Sequence, residues 1–200
     1  MRLNLILFFL SFIFFAPLVH AHTFTGMVGF YDGLSHPVLG IDHFLAMVSV
    51  GVVSAQIGGR AIWTIPATFV LMMIVGGTIG MLIEVFFFDF EESAFVVVEY
   101  GIVFSVILLG LAIAIEKKIA TNIIMIFICI FGMCHGLAHG MEMPWAVNPI
   151  LFALGFASGT ATLHLFGVGI GSLAIKTKFS SIVLRIVGVG CALFGISLLV

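Results

Sequence analysis

Six apolar stretches, each long enough to carry a helix across a hydrocarbon core of roughly 30 Å, follow one another along this chain with short polar breaks between them. Such a chain cannot gather around one water-excluded core. The fold expected is an all-α membrane protein, a six-transmembrane helix bundle with spans at roughly 38–57, 61–83, 94–115, 119–140, 149–174 and 181–200. Composition agrees, since 62% of the 200 residues are hydrophobic, 8% are charged and the mean hydropathy is +1.37. In a chain buried in a bilayer the net charge of -2 says little about partners. The lipid bilayer is the partner the composition demands; no nucleic acid is expected, and assembly into a homo-oligomer is left open.

Ahead of the spans, Arg2 is followed by the unbroken apolar run Leu5 to Phe15, then by Pro17, Val19, His20 and Ala21. This is the pattern of a cleavable secretory signal peptide over residues 1–21, with Val19 and Ala21 as the small residues of the cleavage site and 22–200 as the permease domain. Cleavage would make His22 the first residue. Its α-amino group and imidazole could then chelate one ion, against the plainer expectation of a mobile chain end.

Loop charge gives the orientation. Arg60 lies between spans one and two, Lys117 and Lys118 between three and four, Lys176 and Lys178 between five and six, all on one side. The opposite loops hold Asp89, Glu91 and Glu92, or residues 140–149, with no Lys or Arg. The positive-inside rule therefore sets both mature termini outside the cytoplasm, in a multi-pass protein of the bacterial inner membrane. Arg185, near the start of span six, is expected to snorkel to the cytoplasmic face. Glu84, Asp89, Glu91 and Glu92 form a solvated outer boundary that would raise the local cation concentration.

Small residues repeat where helices should touch: Gly132, Gly136 and Gly140 in span four, Gly155 and Gly159 in span five, Gly76 and Gly80 in span two. Cys129, Cys134 and Cys191 have neither paired spacing nor a Cys-x-x-Cys pattern and are expected to pack as small apolar groups, as are Met133, Met141 and Met143.

Ionisable groups are costly within hydrocarbon and mark pathways or partners. Two clusters stand out: His36-Pro37-Val38-Leu39-Gly40-Ile41-Asp42-His43 at the start of span one, and Cys134-His135-Gly136-Leu137-Ala138-His139-Gly140-Met141-Glu142 at the end of span four. His135, His139 and Glu142 share one helical face. His135 and His139 could hold one ion between them, whereas His135 and Glu142, about 10.5 Å apart along a regular helix, should not reach the same ion. Pro37 suits the first turn of a helix and Gly40 allows a break.

Spans one and four run in opposite directions, so the ligands should pair in layers: His36, His139 and Glu142 outside, Asp42, His43 and His135 deeper. Asp42 is about 100° from His43 around an ideal helix, so it needs a distortion near Gly40 or acts by orienting a histidine. Glu99, about a turn inside span three, lies at a compatible depth. For His164, deep in span five, an interhelical hydrogen bond is the expected role. Imidazole with carboxylate suits nickel, cobalt, zinc and copper alike.

The motifs His-Pro-x-x-Gly-x-Asp-His and His-Gly-x-Ala-His-Gly-x-Glu resemble those of the HupE/UreJ family of hydrogenase and urease accessory permeases. The resemblance extends over essentially the whole chain, including a Glu in span three and a histidine after the signal peptide; Cys134 stands where an aromatic residue would be expected. It implies uptake of nickel, or in some members cobalt, as the transported substrate, with no prosthetic group and an indirect link to hydrogenase or urease maturation. It also implies functional roles for His36, Asp42, His43, Glu99, His135, His139 and Glu142.

No Walker motif is present, so transport is expected to be secondary or channel-like rather than enzymatic. Two other classes use similar ligands: an intramembrane metal-dependent hydrolase, with an open position on its metal for water, and a b-type haem protein with axial histidines on facing helices. Lipid turnover would reveal the first and a visible absorption band the second.

Overall fold

In the computed structural model the described residues are 29–86, 92–116, 119–143 and 147–199. The expected signal peptide, His22, Asp89, Glu91, Lys117 and Lys118 lie outside them. Among the described residues all regular structure is helical, in seven helices: α1 (Phe30–Leu39), α2 (Ile41–Ile57), α3 (Ala61–Phe86), α4 (Glu92–Ile115), α5 (Thr121–Met141), α6 (Pro149–Ala174) and α7 (Lys178–Ser197). Helices α3 to α7 are each long and apolar enough to cross a bilayer, and α1 with α2 make a sixth crossing only as a bent pair. The chain is a multi-pass membrane protein.

The bend corrects the expected first span. It begins at Phe30, not near residue 38, and turns by 86° between α1 and α2. Two residues cause this. Pro37 lies in the last turn of α1 rather than in the first turn of a helix; its ring nitrogen has no proton to give the Gly33 carbonyl, which weakens the helix end. Gly40 then takes an extended conformation, φ -88° and ψ 121°, and starts α2 afresh. At the far end of α2, Gly58 and Gly59 both have positive φ, 78° and 59°, so the chain reverses within two residues into α3. The later helices start on side-chain caps, with Asn148 Oδ1 accepting from the N–H groups of Ile150 and Leu151, and Thr177 Oγ1 accepting from that of Ser180.

Packing follows the glycines. Helix α5 lies along α3 at backbone contact: a Cβ on Gly132, Gly136 or Gly140 would meet main-chain atoms of Phe69, Met73 or Gly77. Gly155 and Gly159 in α6 do the same for α1, Gly51 and Gly167 for the α2–α6 pair, and Gly110 and Gly188 for the α4–α7 pair. With so little side chain between them, the helices gain dispersion contact that lipid would not supply. The core between them is built from Met47 and Val50 of α2, Ile65, Phe69 and Met73 of α3, and Ile128 of α5. Outward faces are apolar and bare, as at Leu71, Val97 and Ile126, which suits acyl chains.

Cys191 is buried in a small cluster with Leu45, Ala46 and Val106, and the Cys134 thiol packs against Gly101 of α4. Both behave as space-fillers. Arg185 has partners within the bundle: its Nε–H donates to the Ala114 carbonyl at 2.8 Å, and its guanidinium lies 3.9 Å from Glu116. It thereby ties the start of α7 to the end of α4, where unsatisfied carbonyls attract a cation.

Candidate functional site

The break at Gly40 brings the two polar clusters together. His36 stands in the last turn of α1, Asp42 and His43 in the first turn of α2, and His135 and His139 in the last two turns of α5, with Glu142 as its C-terminal cap. One ligand atom from each of His36, His139 and Glu142 lies within 4.8 Å of the other two. His43, His135 and His139 are all buried.

The two expected layers are joined by His139. Its ring centroid is 4.4 Å from that of His36 and 4.6 Å from that of His43, and Nδ1 lies 3.9 Å from Glu142 Oε2. His43 in turn is 5.3 Å from His135. The imidazoles therefore form a continuous file, His36–His139–His43–His135, running inward. Glu142 meets His139 and not His135, as the rise along a helix requires.

Asp42 enters as an orienting group. Its Oδ1 accepts from His43 Nδ1–H at 2.9 Å and also from the His43 backbone N–H at 2.9 Å. Because a carboxylate oxygen can only accept, the proton of the neutral ring sits on Nδ1 and the Nε2 lone pair is left open. His135 is fixed the same way by a different partner: Nδ1–H donates to the Phe131 carbonyl one turn back at 2.8 Å. Among the described residues neither His43 Nε2 nor His135 Nε2 has a hydrogen-bond partner. An unsatisfied buried nitrogen costs about 1–3 kcal/mol, so two such nitrogens on rings 5.3 Å apart are an arrangement that a cation would stabilise.

The carboxylates of Asp42, Glu99 and Glu142 all act electrostatically on the His43 imidazole. Glu99 of α4 lies within electrostatic range of His43 and does not belong to the three-residue cluster. Three acids around one chain of imidazoles make a local field that favours a divalent cation.

The walls are aromatic. Phe152 and Phe156 of α6 stack on each other and flank His36, with Phe156 also 4.5 Å from His139. Phe69 of α3 lies 5.3 Å from His135. Sequence spacing could not single these out among 22 phenylalanines. A cavity of about 180 Å³ between α3, α5 and α6 reaches His139 and is lined also by Met73, Met81, Met143, Phe152 and Phe156. Met143 therefore packs at the wall of this cavity.

His164 departs from its expected role. It is fully buried, and neither ring nitrogen has a hydrogen-bond partner among the described residues.

Comparison with known proteins agrees with the motifs. The model of the family described as HupE / UreJ protein matches residues 10–198. Protein HupE of Rhizobium leguminosarum bv. viciae is 37% identical over 183 residues, 92% of this chain and 91% of that protein. No solved structure matches. A family model that fits nearly the whole length, together with a relative this similar from end to end, identifies the chain as belonging to the HupE/UreJ family.

Proposed function

We propose that this protein takes up a divalent transition metal, nickel or cobalt, across the inner membrane, by secondary or channel-like transport without ATP hydrolysis. The observation that carries the reading is the His36, His139 and Glu142 cluster, whose ligand atoms lie within 4.8 Å of one another at the head of a buried file of imidazoles. Two imidazoles and a carboxylate match the preferences of these borderline cations. Membership of the HupE/UreJ family supports the assignment and suggests that the metal serves hydrogenase or urease maturation. The ion is substrate, and no resident prosthetic group is invoked.

The ion would be captured outside by His36, His139 and Glu142, with Glu99 contributing field and His22, if exposed by removal of residues 1–21, a further chelating group. It would then pass to the open Nε2 atoms of His43 and His135. Neighbouring stations of similar affinity favour conduction, since an ion held too tightly at one of them would not leave.

The test is uptake into liposomes containing the purified protein, with nickel, cobalt, zinc and copper in competition. Nickel or cobalt should enter and outcompete zinc; a protein that moves none of the four would refute the reading.

Capture from the outside requires the orientation given by the loop charges. Single cysteines placed near Glu91 and Trp145 should react with an impermeant maleimide added outside spheroplasts, and those near Lys117 and Lys176 only after permeabilisation. The opposite labelling would reverse the direction of transport.

A further inference from the structure

Helices α3 and α6 face each other across the inner half of the bundle with a matched pair of steps. Thr160 Oγ1–H donates to Met73 Sδ at 3.6 Å, and one turn farther in the rings of His164 and Phe69 meet at 5.2 Å. Residues four apart lie on one helical face, and the two helices run in opposite directions, so Met73 pairs with Thr160 and Phe69 with His164. The Phe69 ring that touches His164 also touches His135 at 5.3 Å. Main-chain atoms of Phe69 lie against Gly132 and those of Met73 against Gly136, which sets His164 about three residues of helical rise, roughly 4.5 Å, deeper than His135.

At this depth the imidazole is fully enclosed and both ring nitrogens lack a hydrogen-bond partner among the described residues, although nothing in its packing requires a nitrogen. It also lies within electrostatic reach of His135. Its backbone is fixed. A Cβ on Gly51 would stand 2.1 Å from the His164 carbonyl, so α2 and α6 are locked together there and the ring can respond chiefly by rotating about its own side-chain bonds.

We propose that His164 is a further metal ligand, the inward station that receives the divalent cation from His135 past the edge of Phe69. This deepens the transport reading and rests on it. The site takes the same borderline cation as the outer cluster, with an imidazole nitrogen as the strong ligand and the Thr160 hydroxyl and Met73 thioether as weaker donors one turn outward. Binding here is transient, because a single strong ligand holds the ion less tightly than the outer three.

Nickel uptake into liposomes distinguishes a ligand from a packing residue through three variants. His164→Phe keeps a planar ring and removes both nitrogens; it should lower the maximal rate by about tenfold or more while leaving the half-saturating nickel concentration unchanged. His164→Cys is smaller yet restores a donor, and should transport faster than His164→Phe. His164→Ala, with neither ring nor donor, should be no faster than His164→Phe. A packing role gives the reverse order, with Phe best tolerated. Cobalt binding to each detergent-solubilised variant should retain wild-type affinity, since capture lies outward, and thermal melting verifies that each is folded. Folded His164→Phe that transports at the wild-type rate, or faster than His164→Cys, overturns the inward station alone. Wild-type protein that neither binds cobalt nor moves nickel overturns the transport reading and this station with it.

Discussion

His139→Ala is expected to abolish metal uptake while leaving the protein inserted and folded. Its ring contacts His36 and His43, and it lies beside Glu142, so its loss both removes one of the three proposed outer ligands and cuts the file in two. His36→Ala should do the same by removing a ligand of the same cluster. Asp42→Ala acts differently. It leaves the outer cluster intact but frees the His43 ring, whose Nδ1–H then has no acceptor and whose Nε2 is no longer aimed. Losses of about a hundredfold or more in initial rate are expected for His36→Ala and His139→Ala, and of about 10–100-fold for Asp42→Ala, the range for orienting groups at metal sites. Asp42→Asn, which keeps a carbonyl oxygen as acceptor, should retain part of the rate. Normal uptake by folded His36→Ala, Asp42→Ala and His139→Ala would remove the proposed site.

Gly136→Val should leave little folded protein. A Cβ at this position would stand 2.1 Å from the Met73 carbonyl oxygen and 2.7 Å from the Gly77 nitrogen, both main-chain atoms of a regular helix that cannot step aside. To admit even one carbon, α3 and α5 must separate along their whole seam, for an expected cost of about 3 kcal/mol or more. The consequence is functional as well, because Gly136 adjoins His135 and the same seam sets the height of Phe69. Gly169→Ala and Gly190→Ala are the controls, as nothing lies within 4 Å of a Cβ at either position. Thermal melting in detergent should separate the two groups clearly; equal melting temperatures would mean that the close seam does not carry stability.

Much of this arrangement is legible in the chain because bilayers impose simple rules. Span length and the polar loops give the number of crossings, and the depth of His36, Asp42, His43, His135, His139 and Glu142 follows from counting residues along two antiparallel helices. Counting fixes height but not the direction in which a ring points. The bridging position of His139 between two layers was invisible for that reason, whereas the hold of Asp42 on His43 was one of the two readings that its angular position allowed. The bend at Gly40 had its signals in Pro37 and Gly40, yet the polar residues Asp32, Ser35 and His36 disguise α1 as a loop before the first span. Phe69, Phe152 and Phe156 carry no signal in a chain this rich in phenylalanine. His164 looked like an ordinary hydrogen-bonding histidine, since only the spatial meeting of α3, α5 and α6 reveals that its nitrogens lack such partners.

On the proposed route, the sharp turn at Gly40 also changes how much bilayer an ion would cross. Helix α2 alone has 17 residues and a rise of about 25 Å, less than the roughly 30 Å of a typical hydrocarbon core, and the turn directs the rise of α1 away from the axis of α2. The shortfall of about 5 Å coincides with the end of the span that carries His36, Asp42 and His43. Helix α2 is enclosed by the other helices, with none of its residues exposed, so the shortfall lies inside the bundle, where water rather than acyl chains can fill it. The first ligands can therefore meet a hydrated ion near the membrane surface, and water molecules can be stripped from it one at a time as protein ligands replace them. The mismatch lowers the dielectric barrier at the very place where a doubly charged ion would otherwise have to shed its hydration shell all at once.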